Sequence, residues 1–183
     1  MPELALHILD LVQNSVSAGA TRVVVTVCYD TAADVLLISI EDDGKGMPPE
    51  LLARVESPFA TTRTTRKVGL GIPMLKQSAE MAGGTFGIES EIGKGTWIHA
   101  SFDLSNIDCI PMGEICDSLV TLIVLNPETP DFVFQASAPE KEALFDTRQV
   151  REALGGVSLA EPEVAAWIKE SIDEEFKPIL EVS

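Results

Sequence analysis

The sequence predicts an α/β fold on three observations. An apolar helical stripe opens the chain, strands with alternating apolar residues follow in pairs, and a second helical stretch separates the pairs. Residues 3–18 place Leu4, Ile8, Leu11, Val12 and Ser15 at helical spacing, with Gly19 where a helix stops. Arg22 to Cys28 and Val35 to Ile40 are rich in β-branched residues and flank the polar turn Tyr29 to Asp34, which makes them neighbouring strands. Pro48-Pro49 with Glu50 reads as the first turn of a short helix running to about Val55. Glu56 to Val68 is rich in Thr and Arg, has no apolar period, and is expected to be a mobile loop. Ile72 to Met81 is helical and is stopped by Gly83-Gly84. Thr85 to Ser90 and Thr96 to Phe102 then form two strands around Ile92-Gly93-Lys94-Gly95. In the last of these, Trp97, His99 and Ser101 face one way and Ile98, Ala100 and Phe102 the other.

Beyond Leu104 prolines punctuate shorter elements. The expected boundary therefore separates residues 1–103 from a small α+β unit over residues 104–183. In that unit we expect a helix from about Gly113 to Leu125 and a hairpin of Asp131 to Ala136 with Glu142 to Asp146. A helix capped by Asp146 and ended at Gly155-Gly156 follows, and a last helix starts at Pro162.

Composition narrows the function. Lys and Arg number 13 against 29 Asp and Glu, for a formal net charge of -16, which argues against a nucleic-acid partner because phosphate needs cations opposite it. No apolar run approaches the roughly 20 residues that span a bilayer. The start carries Glu3, His7 and Asp10 in place of an export signal, so the expected location is the cytoplasm, away from membranes. Cys28, Cys109 and Cys116 form no CxxC and read as reduced thiols; His7 and His99 read as satisfied structural residues.

The chemistry concentrates in four segments. Asp10 and Asn14, at i and i+4, share one face of the first helix, where a carboxylate and an amide can orient water and hold a cation. Asp42-Asp43-Gly44-Lys45-Gly46-Met47 brings a carboxylate out of a strand end beside two glycines, over which a flat ligand can approach the backbone. Val68-Gly69-Leu70-Gly71 opens a helix, whose unpaired N–H groups favour phosphate, and Arg63, Arg66 and Lys67 just before it suit a lid over a polyphosphate. Gly93-Lys94-Gly95-Thr96 delivers a hydroxyl at a strand start.

In this order, LDLVQNSVSAGATRVVV, ISIEDDGKGMPPELL, PFATTRTTRKVGLGIPMLK and GGTFGIESEIGKGTWIHASF resemble the GHKL superfamily of ATP-binding domains, which includes gyrase, the heat-shock chaperone, histidine kinases and MutL. The resemblance covers residues 4–103 and implies a two-layer α/β sandwich, with helices on one face of a mixed, mainly antiparallel sheet. It implies ATP and Mg²⁺ as ligands. Asn14 would hold Mg²⁺, Asp42 would accept the adenine amino group, and Gly44 and Gly46 would flank the base. Gly69 and Gly71 would cradle phosphates, and Thr96 would complete the adenine contact; Met47 and Leu70 join the nucleotide-binding set with Arg63 and Arg66.

Asp10 to Thr21 looks most like MutL, whereas PFATTR, GLGIPMLK and GKGTWIHASF look like the catalytic domain of sensor histidine kinases. Asp10 stands where hydrolytic members have glutamate, and Ser17 where MutL and the chaperone have aspartate; Asp10 is the candidate base for hydrolysis. No helical segment with a phosphoacceptor histidine precedes the first helix, so a kinase of this kind would act on a separate protein. The expected function is therefore a Mg-ATP-binding protein, resembling the histidine-kinase catalytic domain, that phosphorylates or regulates another protein. The alternatives are an ATP-gated dimerisation switch with slow ATPase activity, as in MutL, and a serine kinase of the anti-sigma type.

Overall fold

The computed structural model describes residues 3–56 and 70–181. The lid expected over Thr61 to Val68, with Arg63, Arg66, Lys67 and Gly69, lies outside the described residues.

Helix α1 (Leu4–Ser17) buries Leu4, Ile8, Leu11, Val12 and Ser15, the stripe that the helical period predicts. Strands β1 (Arg22–Asp30) and β2 (Val35–Asp42) pair antiparallel, with Val23, Val25 and Val27 of one and Leu36, Ile38 and Ile40 of the other turned into the core. A short helix α2 (Pro49–Leu52) precedes the segment outside the description, and helix α3 (Gly71–Met81) follows it. Strands β3 (Phe86–Glu91) and β4 (Gly95–Asp103) form the next antiparallel pair, and β4 also pairs with β2. Ile98, Ala100 and Phe102 are buried while Trp97 is exposed, as the two-residue period requires.

The chain after Leu104 supplies helix α4 (Ile115–Leu125), strands β5 (Asp131–Ala138) and β6 (Lys141–Asp146), and helices α5 (Thr147–Leu154) and α6 (Pro162–Leu180). Its α+β content matches expectation, but it does not build a separate sheet. β5 pairs parallel with β1, giving one six-stranded sheet in the order β3-β4-β2-β1-β5-β6. Parallel pairing needs a crossover, and α4 provides it by carrying the chain from β4 past β2 and β1 on the helical side. One hydrophobic cluster joins Leu11 and Phe102 to Phe132, Phe134, Ile168 and Phe176. The boundary near Leu104 thus marks a change of composition within a single sheet and core.

Local chemistry fixes the ends of these elements. Asp146 caps α5 by accepting from Arg148 N at 2.9 Å, and Gly155 closes that helix in the left-handed conformation, as the sequence predicts. Arg151 ties α5 back to the sheet through Asp131 at 2.7 Å and the Pro127 carbonyl at 2.6 Å. The carboxylate of Glu181 accepts from Cys116 N at 3.1 Å, which anchors the end of α6 on the first turn of α4. Burial and Glu181 together push the Cys116 thiol pKa up, so it stays a neutral core group. The helices cover one face of the sheet, and among the described residues none is long and apolar enough to cross a membrane.

Candidate functional site

The site forms where α1, the β2 end, the turn after it and the start of β4 converge. β2 pairs Asp42 with Thr96, so a carboxylate and a hydroxyl sit side by side at one end of the sheet. Leu11, Asn14, Ser15, Asp42, Lys45, Gly46, Met47, Ile72, Thr96 and Ile98, with their neighbours, line a cleft of about 390 Å³. Its walls are mostly aliphatic and its few polar groups come from α1, β2, β4 and, in Lys45, the turn after β2, the composition of a small-molecule site.

Asp42 is the best-held group in the cleft. Its Oδ2 accepts from Ser15 Oγ at 2.6 Å and its Oδ1 from Gly44 N at 2.8 Å, so neither oxygen is free to swing. The adjacent Asp43 does different work. It accepts from Thr21 N at 2.7 Å, from Arg22 N at 2.9 Å and from the Thr21 hydroxyl, bracing the turn against the start of β1. Burial opposes its ionisation, but those hydrogen bonds outweigh it and hold its carboxyl below the ordinary range.

The glycines position backbone. At Gly46, with φ +73°, a Cβ would lie 2.0 Å from the Glu91 carbonyl oxygen, and at Gly44 one would meet Ala18 at 3.0 Å. Only bare backbone lets the turn nest between the end of α1 and the β3–β4 turn, where Lys45 N donates to Ala18 O and Gly93 N to Lys45 O, both at 2.9 Å. Gly46 lines the cleft with its main chain; Gly44 stands behind Asp42 as the donor that orients it. Ser90 completes this wall: its hydroxyl accepts from Met47 N at 2.8 Å, donates to Gly95 O at 3.1 Å, and shares a hydrogen bond of 2.8 Å with Thr96 Oγ1.

The far end of the cleft is the start of α3. Among the described residues no side chain caps that helix, and its first turn presents the N–H groups of Gly71 and Ile72 and the positive end of its dipole to an anion. A Cβ at Gly71 would stand 3.4 Å from both Asp10 Cβ and Leu11 Cδ2, which places the N-terminus of α3 against α1 beside Asp10. Asn14 lines the cleft, whereas Asp10, one turn earlier, is exposed at its rim, and Leu70 is exposed just before α3. The structure therefore brings Asn14, Asp42, Gly46, Met47 and Thr96 together around one cavity, with Gly71 and Asp10 at its edge. Sequence reasoning missed Ser15 and Ser90, the two hydroxyls that orient Asp42 and Thr96. The signal for Ser15 was a hydroxyl on an otherwise apolar buried stripe, where it needs a partner.

His7 departs from expectation. It is buried on α1, burial pushes its pKa down, and its Nε2 makes no hydrogen bond among the described residues.

Residues 2–106 match the family model described as histidine kinase-, DNA gyrase B-, and HSP90-like ATPase. The chain belongs to that family, and the matched region is an ATP-binding, histidine-kinase-like domain. Its curated relatives include Sporulation kinase C of Bacillus subtilis, 34% identical over 48% of this chain and 20% of that protein. Sensor histidine kinase AruS of Pseudomonas aeruginosa is 31% identical over 58% of this chain and 12% of that protein. Sensor kinase CckA of Brucella abortus is 38% identical over 35% of this chain and 7% of that protein. The chain thus spans a fifth or less of each of these relatives.

Ser15 offers a direct check on the cleft. Ser15→Ala removes the donor on Asp42 Oδ2. The bond is present with and without nucleotide, so its loss acts on binding through the orientation of the carboxylate; a cost of about 1 kcal/mol weakens ATP binding about fivefold with little change in thermal stability. Unchanged ATP affinity by calorimetry would separate Ser15 from the site.

Proposed function

We propose that the chain binds Mg-ATP in this cleft and passes the γ-phosphoryl group to a separate protein, as a histidine-kinase-like transferase. The observation that carries the reading is the polarity of the cleft. A fixed carboxylate, Asp42, stands at one end and an uncapped helix N-terminus, α3, at the other, with aliphatic walls between. Adenine fits between the aliphatic side chains with its amino group donating to Asp42, and the phosphates reach the N–H groups of α3.

The donor set suits magnesium. Among the described residues no cluster of three or more His, Cys, Asp or Glu could grip a metal alone. An amide, Asn14, instead faces the cleft one turn after the carboxylate of Asp10. Magnesium keeps several waters and takes most of its remaining ligands from phosphate, so one side-chain oxygen from Asn14 is enough to seat it. When bound it neutralises charge on the phosphates.

In the transfer, a nucleophile on the partner protein attacks the γ-phosphorus. For a histidine acceptor a P–N bond forms, the bond to the β–γ bridging oxygen breaks, and ADP leaves with that electron pair. Such transfers are governed by positioning and charge stabilisation, which this chain supplies through α3, Asn14 and the basic residues Arg63, Arg66 and Lys67 as a lid. Incubating the protein with γ-labelled ATP and fractionated protein from its source cells tests the reading. An acid-labile, alkali-stable phosphoprotein that forms only when the chain is added supports it; label appearing only as free phosphate contradicts it.

The position of Asp10 at the rim, against the start of α3, supports a side reaction in which it takes a proton from an attacking water. A general base must come within roughly 2.6–3.2 Å of that proton's carrier, and aspartate is one methylene shorter than glutamate. Hydrolysis is expected to be slow, mostly removed by Asp10→Asn without loss of ATP affinity, and equal or faster in Asp10→Glu. Phosphate release at the wild-type rate from Asp10→Asn would remove Asp10 from that role.

A further inference from the structure

The helices cover one face of the sheet; the other carries a second feature unrelated to the nucleotide cleft. On β4, Trp97 points outward and is 40% exposed. Its cross-strand neighbours are Glu41 on β2 and Glu89 on β3, so two carboxylates flank one indole on the same face. Both glutamates are exposed, and neither forms an ion pair among the described residues.

The indole is held in place. His99, two residues along β4, packs against it with ring centroids 4.2 Å apart and the planes tilted by 35°. The His99 ring in turn lies over Gly87 of β3, where a Cβ would fall 2.2 Å from its Cε1. Any side chain at Gly87 would evict the histidine and release the indole. Next to the pair, Thr26, Cys28, Leu37, Ser39, Trp97 and His99 line a shallow groove of about 310 Å³. No Lys or Arg occurs in β2, β3 or β4, so this end of the face offers an aromatic surface with negative flanks, while Arg22 of β1, on the same face, lies close enough to Asp146 to join Arg148, the larger influence, in lowering its pKa.

We propose that this open face docks an extended segment of another protein, with an arginine stacked on Trp97 between Glu41 and Glu89 and an apolar neighbour in the groove beside Leu37. Charge complementarity selects the occupant. A planar guanidinium stacks on an indole and pairs with carboxylates at its edges, which a lysine ammonium does less well. A second copy is the poorer partner: its own β2, β3 and β4 bring no Lys or Arg to meet Glu41 and Glu89, and both chains carry a net charge of -16. Side chains two residues apart in an extended segment lie on the same side, so a leucine flanking the arginine at that spacing reaches the groove.

The test uses an acetylated, amidated heptapeptide with arginine at its centre and leucine two residues to either side, beside the same peptide with neutral citrulline in place of arginine. In a Trp167→Phe background, fluorescence reports Trp97 alone, and backbone amide spectra locate the contact. The arginine peptide should give a saturable change with shifts confined to β2, β3 and β4, and should bind at least tenfold more tightly than the citrulline peptide. Glu41→Gln with Glu89→Gln should remove most of that preference while leaving ATP affinity unchanged. Equal responses to the two peptides, shifts elsewhere or none at all would overturn the proposal. So would sedimentation showing a dimer that is lost in Trp97→Leu, which would assign the face to a second copy.

Discussion

Asp42→Asn is expected to weaken ATP binding on the order of ten- to a hundredfold while leaving the fold intact, because a hydrogen bond to a charged group contributes roughly 1.5–3 kcal/mol. The local geometry says why the amide cannot substitute. Gly44 N must be accepted by Oδ1, so the oxygen of asparagine is committed there and its nitrogen faces Ser15 and the cleft. Ser15 can reverse its hydroxyl and accept. The adenine amino group cannot, and would meet a donor. Calorimetric titration of the folded variant with ATP measures the loss directly; unchanged affinity would mean that the base lies elsewhere.

Gly95→Ala should be the most disruptive single substitution at the site. Gly95 has φ +125°, and a Cβ there would stand 1.9 Å from the Asp42 carbonyl oxygen and 2.9 Å from Asp43 Cα. A methyl group must therefore push apart β2 and β4 at the residue that presents the carboxylate, in a backbone conformation that L side chains rarely adopt. Strain of this kind costs about 1–3 kcal/mol from the conformation alone, and the overlap with backbone adds to it. The expected outcome is a marked fall in thermal midpoint together with loss of ATP binding in whatever remains folded. A variant with wild-type midpoint and affinity would show that the β2–β4 junction yields easily, contrary to the geometry.

Much of this architecture was legible because its signals are local. The α1 stripe and the alternation along β1, β2 and β4 each lie within one element, and the cap at Asp146 and the stop at Gly155 follow from residue chemistry over a few positions. The joining of the C-terminal part to the sheet was not legible. The pairing of Val25 with Phe134 spans more than a hundred residues, and no local pattern says that β5 lies beside β1 rather than in a sheet of its own. The site shows the same division. Asp42 and Thr96 announce themselves beside glycines, but their adjacency comes from the β2–β4 register. Ser15 acts through a partner 27 residues away and Ser90 joins Met47, 43 residues away, to Thr96, and a serine in sequence does not name its partners.

In the proposed site Asp42 reads the exocyclic amino group of adenine. Titrating the wild type and Asp42→Asn with ATP and with inosine triphosphate tests it most directly, since inosine differs from adenosine in presenting a carbonyl oxygen where adenosine has the amino group. The wild type should favour ATP by about tenfold or more, the difference between a charged hydrogen bond made and lost, and Asp42→Asn, whose amide N–H faces the cleft and can donate to the inosine carbonyl, should lose or reverse that preference. A wild type indifferent to the exchange, or a variant that keeps the full preference for ATP, would contradict the assignment of the cleft.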